Sequence, residues 1–354
     1  MSATKIGWTD LTLSPVIGCT HAAYEQPDGK KVAHPGCVNC YAEKMCSRKL
    51  PGFSGHNKCS SKGKWTGELQ ILHERLAWPF TRKEYKPRRD GKQRRCFLTS
   101  LSDMGHPGLA EADWMAVQGM MLLSPWIIWQ DLTKRPDRQS MLLRKYTPAQ
   151  CVEALCRSNA IVARHAPPYE LWHGFSGHRT WDSFPHIHRY VSVSDQATAD
   201  ALIPELLKMP CAVRGVSLEP MVGPVDIERF MRPSWGDLTP RNTRPLMPYL
   251  NHIIVGGESG RGAGIRPFAL EWALDVIEQC KRAGMWCFVK QMGSRPYIEN
   301  VKRWDWKHLG WNFHDPSWLP SGLECGAAPC LTGKGDNPLE WPEVLRVQQN
   351  VGNV

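Results

Sequence analysis

The stretch Trp126-Ile127-Ile128-Trp129-Gln130-Asp131-Leu132-Thr133-Lys134-Arg135-Pro136 decides how the chain is read. A mostly apolar run of strand length ends in a threonine and two cations, then meets a proline. A short apolar run bounded by turn signals reads as a strand buried on both faces, and the polar residues mark where it leaves the core. The same grammar recurs on either side. Cys96-Phe97-Leu98-Thr99-Ser100-Leu101 ends at Ser102-Asp103, and His188-Arg189-Tyr190-Val191-Ser192-Val193 ends at Ser194-Asp195. Val213-Arg214-Gly215-Val216-Ser217-Leu218 ends at Glu219-Pro220, and His252-Ile253-Ile254-Val255 ends at Gly256-Gly257-Glu258. Trp286-Cys287-Phe288-Val289 ends at Lys290-Gln291. Helical patterns at 112–123, 148–157, 197–208 and 270–283 separate these runs, and a further strand is expected near 8–13.

Alternating strands and helices give an α/β class: a full or partial (β/α) barrel of about six to seven parallel strands with loop insertions. In that architecture the residues just after each strand gather on one face, where sites are built. Ser102, Asp103, Lys134, Arg135, Ser194, Asp195, Glu219, Glu258, Lys290 and Gln291 are the site candidates on this ground. A doubly wound open sheet is the alternative and places the site at the same strand ends.

The chain has 354 residues, 42% hydrophobic and 22% charged, which is globular composition. No run of about 18 apolar residues occurs, so no membrane span is expected. The first residues lack an apolar signal core, so a cytoplasmic protein is expected. The formal charge of +10 favours a polyanionic partner such as a nucleic acid. Residues 1–300 read as the barrel-like domain and 301–354 as an irregular tail. The domain carries a basic insertion at about 44–95, including Lys86-Pro87-Arg88-Arg89-Asp90-Gly91-Lys92-Gln93-Arg94-Arg95, a candidate phosphate contact. Further insertions lie at 165–185 and 231–248. No Walker, G-x-S-x-G or H-E-x-x-H pattern supports a nucleotide-triphosphatase or hydrolase.

Three of the thirteen cysteines stand apart from the apolar runs: Cys19 in Val16-Ile17-Gly18-Cys19, and Cys37 and Cys40 in Gly36-Cys37-Val38-Asn39-Cys40-Tyr41-Ala42. Three thiolates on a four-iron cluster leave one iron open for a ligand, whereas a structural zinc takes four protein ligands. Cys46 or Cys59 would supply the fourth in the zinc reading. A set of unligated reduced thiols is the third alternative.

Taken in order, Trp8-Thr9-Asp10, Gly18-Cys19-Thr20, Cys37-Val38-Asn39-Cys40-Tyr41-Ala42, Leu132-Thr133-Lys134-Arg135-Pro136, Ser217-Leu218-Glu219-Pro220, Gly256-Gly257-Glu258-Ser259-Gly260 and Lys290-Gln291-Met292-Gly293 resemble the phage-associated three-cysteine-motif proteins. The resemblance covers roughly residues 4 to 295. That family has no established reaction, is similar to radical S-adenosylmethionine enzymes and is often encoded beside a partner protein. The resemblance implies a phage or prophage origin, a 4Fe–4S cluster on Cys19, Cys37 and Cys40, and S-adenosylmethionine as cofactor. It implies that Gly256, Gly257 and Glu258, with Ser102, Asp103 and Asp195, hold that cofactor. The spacing here is C-x17-C-x2-C, where radical enzymes usually carry C-x3-C-x2-C. A non-catalytic zinc-stabilised nucleic-acid-binding or partner-recruiting protein is the competing function. A barrel enzyme using Glu219, Glu258 and Lys290 as acid–base groups is a third.

Overall fold

Seven of the apolar runs pair into one sheet. The computed structural model describes residues 4, 6–26, 28–47, 58–165, 180–230, 250–262, 264–299, 313–314, 328–329, 336–341 and 343–349. The strands are β1 (Leu11–Leu13), β2 (Arg94–Leu98), β3 (Ile127–Thr133), β4 (Ile187–Val193), β5 (Val213–Leu218), β6 (His252–Gly256) and β7 (Trp286–Gln291). Their order in space is their order in the chain, and every neighbouring pair is parallel. A doubly wound sheet reverses its order once, at a switch point. This sheet never reverses, so the winding is that of a (β/α) barrel. Among the described residues β7 does not pair back to β1, and the barrel is partial.

Side chains alternate across this curled sheet with the period of two that strands impose. On the concave side Trp8, Phe97, Tyr190, Ile254 and Phe288 form one cluster, with Leu132 against it. On the convex side Cys96, Leu98, Trp129, Val191, Val216, Ile253 and Val289 join the main core. The covering helices are α1 (Tyr41–Cys46), α2 (Glu111–Leu122), α3 (Pro136–Lys145), α4 (Pro148–Ser158), α5 (Gln196–Leu207) and α6 (Leu270–Ala283). Thr147 and Gln150 form a capping box at the start of α4, and Asp195 and Thr198 do so for α5.

Helix α3 adds an element that the sequence reading lacks. Pro136 reads there as a stop, but it stands in the first turn, where its missing N–H leaves nothing unpaired. Asp137 in the first turn and Arg144 and Lys145 in the last turn favour the helix dipole.

Most of 165–185, 231–248 and 301–354 lies outside the described residues, and so do Cys325, Cys330 and 48–57 of the basic insertion. The described end of the chain is fastened. Trp341 and Leu345 are buried in the core, and Val289 N–H donates to the Val347 carbonyl along the free edge of β7. Among the described residues no helix is long and apolar enough to cross a membrane.

Candidate functional site

Two cavities meet at the carboxyl ends of the strands. The smaller, about 100 Å³, is lined by Cys19, Cys37 and Cys40 together with Thr99, Asp103 and Arg135. The larger, about 320 Å³, is lined by Trp8, Phe97, Ser217, Glu219, Glu258 and Lys290 among others. Gly36, Cys40, Tyr41, Phe97, Leu132 and Lys134 wall both, so the cavities adjoin.

The cysteines arrive from three short pieces of backbone. Cys19 follows the short strand Val16–Ile17, which pairs with Gln70–Ile71. Gly18 before it has φ +99, and a Cβ there would stand 2.2 Å from the Glu68 carbonyl oxygen. Only glycine fits this position. Ser102 hydroxyl donates to the Gly18 carbonyl at 2.6 Å and holds the same turn. Cys37 closes a 3-10 turn, and its sulfur accepts the Ala22 N–H at 3.4 Å. Cys40 immediately precedes α1. Arg135 Nη1 lies 3.7 Å from the Cys19 sulfur. Burial nevertheless pushes the Cys19 thiol up to about 12 and raises that of Cys37. Thiols raised in this way are poor free nucleophiles at neutral pH, and a bound metal is what displaces their protons. Among the described residues no set of three or more His, Cys, Asp or Glu side chains is gathered tightly enough to hold one metal ion.

Carboxylates brace the site. Asp103 is buried and spends both oxygens: Oδ1 accepts from Gly105 N and Thr133 Oγ1, and Oδ2 accepts from Lys134 N and Arg135 Nη1. Burial alone would raise its carboxyl, but Arg135 and these donors hold it below the ordinary range. Glu258 binds Arg266 through the guanidinium and the backbone N–H, and accepts Asn39 Nδ2 at 3.1 Å. Its carboxyl is also held low, against the pull of burial. Asn39 lies between Cys37 and Cys40, so this bond ties the cysteine turn to the end of β6. Lys290 pairs with Glu219, which also accepts Gln291 Nε2 at 3.2 Å.

The structure thus brings Cys19, Cys37, Cys40, Ser102 and Asp103 to the small cavity and Gly257, Glu258, Glu219 and Lys290 to the large one. Gly257 carries a steric demand: a Cβ on it would stand 2.5 Å from the Met292 carbonyl. Gly256 ends β6 and is not among the lining residues of either cavity. Asp195 is not either; its carboxylate accepts the Thr198 N–H at 2.9 Å and caps α5. Sequence reasoning missed Trp8, Phe97, Ser217 and Asn39 as site residues. The signal for Asn39 was its place inside the Cys37–Cys40 turn, where an amide is free to reach a neighbouring carboxylate.

Fold and site together define a partial (β/α) barrel with a three-thiol cavity opening beside a ligand-sized one. The chain belongs to the family described as protein of unknown function (DUF5131), whose family model matches residues 3–318. No curated protein and no solved structure matches it.

Proposed function

We propose that the chain is a phage- or prophage-encoded iron–sulfur enzyme of the radical S-adenosylmethionine type, acting on a nucleic acid or a nucleotide. One observation carries this reading. Three cysteines separated by 17 and 2 residues in the sequence line one small cavity at the strand ends, beside a larger cavity of ligand size. A four-iron cluster gives each thiolate its own iron, so its ligands stand farther apart than those of a single ion, and three thiolates leave one iron open. Cys19, Cys37 and Cys40 would hold it, and Arg135, beside the Cys19 sulfur, would offset its negative charge. A cluster held by these three cysteines would supply one-electron reduction of S-adenosylmethionine, with the electron coming from an external donor. The chain's own residues do the rest. Trp8, Phe97 and Leu132 give the larger cavity an apolar wall that excludes water. Glu219 and Lys290 face the ligand as an ion pair able to exchange a proton with it. Asn39 and Arg266 occupy Glu258, whose part is to fix the cysteine turn. The net charge of +10 supports a polyanionic substrate.

A second reading has its own support. Cys46 and Cys59 are both buried in one cluster with Cys40 packed against it, and Cys59 lies against Gly18. Either thiol would be the fourth ligand of a structural zinc if the cysteines drew closer together on the metal, in a protein that binds nucleic acid or a partner protein without catalysis. Anaerobic purification with iron, sulfide and zinc analysis separates the two. About four irons with a broad band near 400 nm, lost in Cys37→Ala, is the expected result. A colourless protein with one zinc per chain overturns the redox reading.

A further inference from the structure

Around the strand ends, cations are matched to carboxylates: Arg135 to Asp103, Lys290 to Glu219 and Arg266 to Glu258. Lys134 is the exception among the described residues. Its backbone N–H is bound to Asp103, but its ammonium makes no ion pair or hydrogen bond. It is half-buried and lines both cavities. A half-buried, unmatched cation has lost hydration without a compensating partner. Two more polar groups on the larger cavity are unmet. Ser217 Oγ and Trp8 Nε1 have no hydrogen-bond partner, and both residues are 1% exposed. Beside them stand the Trp8 and Phe97 rings, with centroids 5.0 Å apart. A cavity of about 320 Å³ lies at the small end of small-molecule sites, which run from roughly 300 to 1,000 Å³. It admits one nucleoside-sized molecule and no duplex.

We infer that the larger cavity binds one anionic ligand of nucleotide size, its flat ring against Trp8 and Phe97, a ring heteroatom on Ser217, and its carboxylate or phosphate on Lys134. The assignment stands on the cavity and does not require the cluster. Two sources share this chemistry: an adenosyl amino acid, which would be the cofactor, and a nucleoside monophosphate, which would be a substrate or its flipped-out unit.

The test is calorimetric titration of the full-length, metal-free chain with S-adenosylhomocysteine, adenosine 5′-monophosphate and adenosine. At least one anionic probe binds. Lys134→Met weakens that probe about tenfold or more and leaves adenosine unchanged, and Lys134→Arg restores most of the loss. Ser217→Ala weakens all the probes that bind. Preference for S-adenosylhomocysteine assigns the site to a cofactor, and preference for the monophosphate assigns it to a nucleotide. Failure of both anionic probes to bind, or equal affinity in Lys134→Met, overturns the inference. So does a Lys134→Met protein that keeps the probe but no longer loads iron, because Lys134 is then the counter-charge of the thiolates. Iron loading of the wild-type chain is scored separately, so the two readings fail independently.

Discussion

At the amino end of the strands the barrel interior holds His188, Tyr190 and His252; at the carboxyl end it holds Lys134, Ser217, Glu219 and Lys290. Two of the amino-end groups are consumed by the fold, while the third, His188, is buried away from both cavities with its Nδ1 unpaired. Tyr190 hydroxyl and His252 Nδ1 share a hydrogen bond of 2.9 Å, and His252 Nε2 lies 3.0 Å from the Gln349 carbonyl. Tyr190 also fills the space over Gly215, where a Cβ would stand 2.1 Å from its ring. At the carboxyl end Lys134 and Ser217 keep unmet bonding capacity around open space. Polar groups that satisfy one another stabilise, and polar groups held unsatisfied around a cavity await a ligand. The basic surface pocket of Lys83, Lys86, Arg88, Arg89 and Arg94 belongs to the first end, because Arg94 opens β2 while Phe97 near its close lines the cavities. A phosphate held there is roughly a strand length, on the order of 15 Å, from the site. A nucleic acid engaging both must therefore reach around the barrel.

The largest expected effect comes from breaking a scaffold pair outright. Arg189 and Asp131 pair at 2.5 Å on the convex face, both almost fully buried, with Gln118 accepting from Arg189 at 2.6 Å. Burial dominates at Asp131 and raises its carboxyl in spite of Arg189. Arg189→Met leaves that carboxyl in the core with no counter-charge and only a long hydrogen bond from Gln139, and should cost about 3–5 kcal/mol in urea unfolding. Replacing both partners, Asp131→Leu with Arg189→Met, should recover most of it. Lys134→Met, which removes a ligand contact and no internal partner, should shift stability by less than about 1 kcal/mol. Equal losses from Arg189→Met and Lys134→Met would erase the distinction between scaffold and site.

A smaller effect is read by pH, through histidines buried at both ends. Burial lowers His188 to about 3 and His186 and His252 to about 4. These folded-state values lie below the unfolded value of about 6.5, so between the two the unfolded chain binds more protons. Their contribution is therefore complete above about pH 6.5 and is lost as pH falls toward 4. Each adds up to about 1.4 kcal/mol per pH unit in that window. His34 and His106, near the cavities, are lowered by burial in the same direction and add to the slope. His252→Gln should flatten the stability–pH curve measured by urea midpoints from pH 4 to 7. An unchanged slope would mean that His252 is not held neutral by the fold.

The fold was legible because its signal is local. Each strand is an apolar run with its own polar end, and β3 to β7 start within one residue of the expected positions. Cys37 and Cys40 were legible as a pair because of their spacing; that Cys19 lines the same cavity came only with the fold. Polar pairing was not legible. Nothing in Asn39 announces that it will close on Glu258, since that partner is 219 residues away in sequence and only the winding joins them, whereas Arg266 reaches it within one loop, 8 residues on. For the same reason Asp103 and Asp195 look alike as acids after strands. The chain turns one into the brace beneath Arg135 and the other into a helix cap. The solitude of Lys134 is likewise a property of the assembled site, visible only once the partners of its neighbours are known.

The last effect concerns a bond that ties the thiols to the larger cavity. Asn39 Nδ2 donates to Glu258 and to the Gly264 carbonyl, at 3.1 and 2.9 Å. Asn39→Ala removes both, but Arg266 still satisfies Glu258, so no charge is stranded. The cost should be about 1 kcal/mol, since two bonds are lost but one is part-buried and the other exposed, at the low end of the usual range for each. The informative readout is therefore not stability but retention of iron during challenge with a chelator. If the turn between Cys37 and Cys40 is positioned from β6, Asn39→Ala should lose iron faster than wild type at nearly unchanged folding stability. Asn39→Asp, which sets a second carboxylate against Glu258, should lose it faster still. Identical loss rates in all three proteins would show that the cysteine turn holds its shape unaided and that the two cavities are neighbours without being coupled.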